Sequence, residues 1–265
     1  MRSIIHSAVL EAAEHEAVRV HREFLRRLPS PAPASGYRIL DWGCGRGSDV
    51  LHLRREGWQA FGVEPAADTI ERGRKLFESS GLRHDDIIKR LSADNRTDFP
   101  AGTFDFLMSY QVLEHVEAID SAAREMYRLM KPGAVAVHLY PAHRRPVEGH
   151  LYMPLVHWFP KNRLRYLAIR LCTQLGIEPH WPEVSGRPAA EKAHTYHRFS
   201  CNETFYRSPR NVEAAFRRAG FTTSFEARRH ERIQHARLDA VLPADLLEWL
   251  LSTFVGCVLV CRKPL

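Results

Sequence analysis

No stretch of the 265 residues approaches the eighteen or so consecutive apolar residues that a membrane-spanning helix needs. Glu11, Glu14 and Glu16 interrupt the apolar residues near the start, which does not suit a secretory signal. Cysteine is scarce and odd in number: Cys44, Cys172, Cys201, Cys257 and Cys261, with no C-x-x-C pair and no H-E-x-x-H. That argues against a disulfide framework and a zinc site, and leaves reduced packing thiols in a cytoplasmic protein as the expectation. Internal repeats and low-complexity tracts are missing, so a solenoid or a disordered tail is not indicated. Aspartate is absent from 141–207, where Lys and Arg outnumber Glu about two to one.

What remains is ordinary globular material, 45% hydrophobic and 26% charged, with a formal net charge of +7. An excess of cations suits acidic partners but says nothing about activity. The chemistry concentrates at Tyr37–Leu40, a short apolar strand closed by Asp41, and in the run Asp41-Trp42-Gly43-Cys44-Gly45-Arg46-Gly47 after it. Alternating glycines belong where the chain turns sharply or where a ligand touches the main chain. Ser48 opens an amphipathic helix whose free N–H groups and dipole favour a ligand carboxylate. A second strand, Phe61–Val63, ends in Glu64, placed to accept both hydroxyls of a ribose. The dinucleotide fingerprint G-x-G-x-x-G fails, because its last place is Ser48.

The D-x-G-x-G-x-G run resembles the S-adenosylmethionine loop of the class I methyltransferases, over about 36–140 and again near 208–262. The resemblance implies a doubly wound, seven-stranded, mostly parallel Rossmann-like sheet, with strand seven antiparallel beside strand six. It implies donor-binding residues Asp41, Gly43, Cys44, Gly45 and Gly47 around the methionine part, with Glu64 and Pro65 at the ribose. Ala93, Asp94 and Asn95 are expected at the adenine, and Tyr110 and Gln111 beside them. Gln111-Val112-Leu113-Glu114-His115 is similar to the E-x-x-E-H of magnesium-binding quinone and small-RNA O-methyltransferases. Gln111 stands where the first acid would be, and magnesium prefers anionic oxygen ligands, so no metal is expected.

Residues 1–35 form an expected helical lid, with apolar positions from Ile5 to Leu28 at helical spacing and a proline-rich hinge at Pro29–Gly36. Packing on the sheet edge is the other reading. Strands are expected at Asp86–Leu91, Thr103–Ser109, Ala134–Tyr140, Phe221–Ala227 and Val255–Arg262. Tyr110 is expected to lead into a helix running through Met130, stopped by Lys131-Pro132-Gly133. The 36–265 domain carries a helical insertion at 141–207, beyond the carboxyl end of strand five, where an acceptor would bind.

His115 and His143 are the candidate bases, and His150 and His157 lie in the same insertion. Trp158, Phe159 and Tyr166 with Lys161, Arg163, Arg165 and Arg170 mark an aromatic-basic helix edge. It suits a membrane contact through 150–171, stacking on a sugar ring or a base with the arginines on phosphate, or a plain cover helix. His157-Trp158-Phe159-Pro160-Lys161 is similar to insertions in methyltransferases of bacterial surface-polysaccharide pathways. The expected reaction is O-methylation of a small or lipid-linked acceptor, acidic or sugar-like, at or near the inner membrane face. An RNA methyltransferase and a non-catalytic S-adenosylmethionine-binding protein are the alternatives. RNA is disfavoured because no RNA-binding module accompanies the basic residues.

Overall fold

The computed structural model describes residues 18, 21, 23–26, 36–227 and 241–265. Most of the expected lid and its proline hinge therefore lie outside the described residues, as does much of the polar stretch after strand six. Seven strands form one sheet: β1 (Arg38–Trp42), β2 (Gln59–Glu64), β3 (Ile88–Arg90), β4 (Phe104–Tyr110), β5 (Met130–Pro141), β6 (Thr222–Phe225) and β7 (Gly256–Arg262). Their order is β3-β2-β1-β4-β5-β7-β6. β7 runs antiparallel to both β5 and β6 and the other pairs are parallel, which bears out the expected arrangement.

A parallel sheet is buried on both faces, so its strands read as near-continuous apolar runs. β1 shows why. Leu40 and Trp42 point into a core with Leu107, Met126 and Phe216, under α3 (Ile119–Leu129) and α6 (Pro209–Ala219). Ile39 points the other way, into a core with Val50, Phe77, Phe106 and Val137, under α1 (Ser48–Arg55), α2 (Ala67–Glu78) and α7 (Ala244–Phe254). Val18, Phe24 and Leu25 belong to this second core, and His21 Nε2 lies 3.2 Å from the Val137 carbonyl. These side chains of the leading segment pack against the sheet.

Two expectations fail in the middle of the chain. The helix after β4 begins at Ile119, not Tyr110, because Gln111 has φ 55° and residues 111–118 form turns. A left-handed residue cannot continue an α-helix. Nor do Lys131-Pro132-Gly133 stop it; the helix ends at Leu129 and β5 starts at Met130. Opposite β4, Phe104 pairs with Met130 and Phe106 with Val135, so the Lys-Pro-Gly residues swell into a bulge. Gly133, at φ 78°, donates to the Lys263 carbonyl there. Strand three is also shorter than expected, reduced to Ile88–Arg90, because Asp86 closes a 3₁₀ turn that begins at His84.

The 141–207 insertion builds a small core of its own. Leu151, Met153, Val156, Ile169, Cys172, Ala193 and Tyr196 are buried between α4 (Arg163–Gln174) and α5 (Ala189–Asn202). No helix among the described residues is long and apolar enough to cross a membrane.

Candidate active site

The glycine loop follows β1 and is tied to the neighbouring strand. Gly43 N and Cys44 N both donate to the Val63 carbonyl, at 2.9 and 3.0 Å. Gly43, Gly45 and Gly47 all sit at positive φ (77°, 57° and 82°), where glycine alone is free of strain. Their surroundings differ. A Cβ on Gly43 would lie 2.6 Å from Val112, and one on Gly47 would lie 2.8 Å from Phe77; one on Gly45 would meet nothing within 4 Å. Gly43 and Gly47 are glycine because protein crowds them. Gly45 faces open space, as a backbone that a ligand approaches must.

Glu64, at the end of β2, accepts from Gly45 N through Oε2 (3.0 Å) and from Ala66 N through Oε1 (3.1 Å). It thus fixes the loop before any ligand arrives, and each oxygen keeps a lone pair for a ribose hydroxyl. Burial raises its pKa. Asp41 is buried, and burial together with the nearby Glu64 charge lifts its pKa to about 7. Such a carboxyl gains from a cationic neighbour, and a sulfonium with an α-ammonium group supplies two. The Cys44 side chain faces away from the crevice: its Sγ fills the place a Gly62 side chain would occupy, so Cys44 offers only backbone. Pro65, Ala93 and Asp94 are exposed, and Ser92 Oγ donates to Asp94 Oδ1 at 2.5 Å. Asn95 sits at φ 64° and reaches Ser121 Oγ (2.7 Å). Gln111 N donates to the Leu139 carbonyl, turning the chain away from half-buried Tyr110. All these expected positions follow the carboxyl ends of β1 to β4, on one edge of the sheet.

The turns at 111–118 make a second polar centre. His115 Nε2 stands 3.1 Å from His150 Nε2, and His115 Nδ1 lies 2.6 Å from the Glu203 carbonyl. His150 Nδ1 lies 3.0 Å from Glu148 Oε1, which also accepts from the Tyr206 hydroxyl (2.5 Å). A carbonyl and a carboxylate only accept, so both Nδ1 atoms carry hydrogen and both Nε2 lone pairs face each other. That contact needs a proton or a cation between the rings. Glu114 completes the group. It is 2% exposed, neither carboxylate oxygen has a hydrogen-bond partner among the described residues, and burial raises its pKa to about 7.

Ligand atoms of Glu114, His115 and His150 lie within 4.8 Å of one another. Two imidazoles and an unpartnered carboxylate suit a divalent transition ion, so the residues fit a metal even with Gln111 in place of the first acid. Burial lowers the His115 pKa. Burial would lower His150 too, but the Glu148 hydrogen bond and charge outweigh it and raise the value. Glu148, despite burial, is held down to about 2 by hydrogen bonds from His150 and Tyr206.

The two candidate histidines are not brought together. His143 lies just past β5 in a separate cavity of about 480 Å³ with Arg144, His157, Trp158, Tyr206 and Phe254. Sequence reasoning weighed His150 only as one of the insertion's histidines, not as a partner of His115, and gave Glu148 and Tyr206 no role. Glu148, His150 and Tyr206 stand 33, 35 and 91 residues beyond His115, and no spacing links them.

Comparison with known proteins places the family and the fold. A family model described as a methyltransferase domain matches residues 12–224. The chain belongs to the methyltransferase-domain family. Its fold is that of the class I S-adenosylmethionine-dependent methyltransferases. Among similar proteins, a ubiquinone biosynthesis O-methyltransferase of Methylocella silvestris is 36% identical over 106 residues, 40% of each chain. Norajmaline N-methyltransferase of Rauvolfia serpentina is 29% identical over 144 residues, 52% of this chain and 48% of that one. The matched segments span less than half the length of these curated relatives. Among solved structures, an S-adenosylmethionine-dependent methyltransferase from Mesorhizobium loti superposes with a TM-score of 0.54 at 16% identity, covering 92% of this chain and 98% of that one.

Proposed function

We propose that this protein transfers the methyl group of S-adenosylmethionine to a hydroxyl oxygen of an acidic acceptor. The observation that carries the choice of oxygen is the facing pair of Nε2 atoms on His115 and His150. Methyl transfer is an in-line displacement in which the sulfonium loses its charge. The protein must align the reactants, worth on the order of 7–11 kcal/mol, and an oxygen nucleophile must also shed its proton. Glu64 and the glycine loop would hold the donor. Neutral His115, kept in one tautomer by the Glu203 carbonyl, offers Nε2 to the acceptor proton, which the facing His150 Nε2 then shares while Glu148 steadies the positive charge. A divalent ion held by Glu114, His115 and His150 would occupy both Nε2 lone pairs and, in place of His115 as base, supply Lewis acidity that makes the hydroxyl more acidic.

The relatives named ubiquinone biosynthesis O-methyltransferase support oxygen as the accepting atom, and an aromatic hydroxyl is our first reading of the acceptor. The expected sugar hydroxyl is the second reading, supported by Trp158 and Phe254 in the His143 cavity, whose rings suit stacking on a sugar. A lipid-borne acceptor is supported by α4. Leu164, Leu167, Leu171 and Leu175, spaced along one side of the helix, are each more than half exposed, and residues 149–177 contain no Asp or Glu. An apolar stripe flanked by Lys161, Arg163 and Arg170 suits the interface of an anionic bilayer.

The test is turnover with labelled donor and fractionated phenolic, glycan and lipid acceptors. Wild type should label a hydroxyl-bearing acid, and His150→Ala should lower the rate at least a hundredfold with affinity for S-adenosylhomocysteine unchanged. A His150→Ala enzyme at full rate would exclude the histidine pair.

A further inference from the structure

A second cavity, of about 260 Å³, opens beside the first and shares His157 and Tyr206 with it. Its other lining residues are Lys161, Arg165, Thr204, Phe205 and Arg207, three cations and no acid. The cations bond mainly to backbone carbonyls. Arg165 is buried and donates to the carbonyls of His157, Phe159 and Ser200 and to Ser200 Oγ. Lys161 Nζ donates to the Cys201 carbonyl at 2.6 Å and lies 4.0 Å from the centre of the Phe205 ring. Arg207 donates to the carbonyls of Phe205 (2.9 Å) and Glu117 (2.5 Å).

Carbonyls orient these groups without neutralising them. Among the described residues none of the three cations has a carboxylate within ion-pair distance. Asp120, one of the acids whose charge reaches Arg207, is engaged by Arg218 at 2.7 Å. Arg165 is buried and Arg207 half-buried, and burial lowers the pKa of both and of the more exposed Lys161. Cations gathered at a cavity with no carboxylate in contact, and only the longer-range charges of Glu117, Asp120 and Glu148 acting on them, cost free energy that an incoming anion returns. Guanidinium forks match the oxygens of phosphates and carboxylates.

We propose that this cavity is the subsite that anchors an anionic group of the methyl acceptor, a phosphate or a carboxylate. The proposal rests on the methyltransfer reading, because it is the shared wall that gives the anchor its purpose. Tyr206 lines the cavity and its hydroxyl bonds Glu148, which holds His150. An acceptor fixed by its anion at Lys161, Arg165 and Arg207 therefore lies against the polar chain that ends at the facing histidines.

The experiment titrates phenyl phosphate, 4-hydroxybenzoate and phenol into the full chain saturated with S-adenosylhomocysteine, by calorimetry in low salt. One of the two anions should bind at least tenfold more tightly than phenol. Phosphate ahead of carboxylate, or the reverse, names the group. Lys161→Gln and Arg207→Gln should each weaken the anion at least threefold, with the melting temperature and S-adenosylhomocysteine affinity kept. Lys161 is partly solvated and makes a single carbonyl bond, so its variant remains informative if Arg207→Gln misfolds. Equal binding of phenol, no binding of either anion, or unaltered affinity in Lys161→Gln overturns the subsite. Anion binding that persists in a protein that does not bind S-adenosylhomocysteine would sustain the subsite and sink the methyltransfer reading instead.

Discussion

Two glycines of the same loop separate folding from binding, and alanine at each should show it. Both sit in the left-handed region, so a side chain costs about 1–2 kcal/mol of backbone strain. At Gly43 the new Cβ would lie 2.6 and 2.7 Å from the Val112 methyls. Overpacking of that kind adds about 1–3 kcal/mol, giving roughly 2–5 kcal/mol in all. For a chain of this size that is a fall of roughly 4–20 °C in melting temperature. At Gly45 only the strain applies, roughly 2–8 °C, because nothing lies within 4 Å. Its Cβ instead occupies the space the donor must enter. Gly45→Ala should therefore weaken S-adenosylhomocysteine at least tenfold, about 1.4 kcal/mol. Differential scanning fluorimetry, with and without S-adenosylhomocysteine, reads both effects. A Gly45→Ala protein that melts slightly early but gains the full ligand shift would refute the assignment of that open face. An unshifted Gly43→Ala would refute the packing argument.

Other outcomes follow from the same structure. His138 is fully buried beside Ser109 Oγ, and burial lowers its pKa to about 3. Above pH 6.5 it is neutral folded or unfolded; below that the unfolded chain takes up a proton the folded one refuses. Stability should thus fall with pH, by about 2 kcal/mol at pH 5 from this group, in urea titrations, and His138→Asn should remove that part of the slope. Replacing Leu167 and Leu171 with Ser should abolish co-sedimentation with anionic vesicles without changing the melting temperature; retained co-sedimentation would remove the membrane contact. His143→Ala should keep at least a third of the turnover that His115→Ala loses, since His143 stands apart from the facing pair; equal losses would return His143 to the list of bases.

The sheet was legible because most of its buried strands are apolar runs bounded by an acid or a turn, as at Val63–Glu64, although β1 continues past Leu40 through Asp41 to Trp42. The glycine loop was legible because its demand for positive φ falls on consecutive alternate residues. The helix after β4 was misplaced because the sequence does not mark Gln111, whose backbone turns left-handed and delays the helix to Ile119. The bulge at Lys131-Pro132-Gly133 read as a helix stop because both structures use a glycine at positive φ. His150 was invisible as a partner of His115 because it arrives through the fold of the insertion, held by Glu148 and Tyr206, and not through local spacing.

The central claim is that the crevice after β1 and β2 holds an adenosyl sulfur compound, fastened by Glu64. Calorimetric titration of S-adenosylhomocysteine and of NAD into wild type and Glu64→Gln tests it directly. Glutamine presents one acceptor oxygen to two backbone donors, so the loop loses a bond as well as the ribose contact. The expected result is one-to-one binding of S-adenosylhomocysteine, at least tenfold weaker in Glu64→Gln, with no heat from NAD. Binding of NAD alone, or equal affinity of both proteins for S-adenosylhomocysteine, would contradict the account.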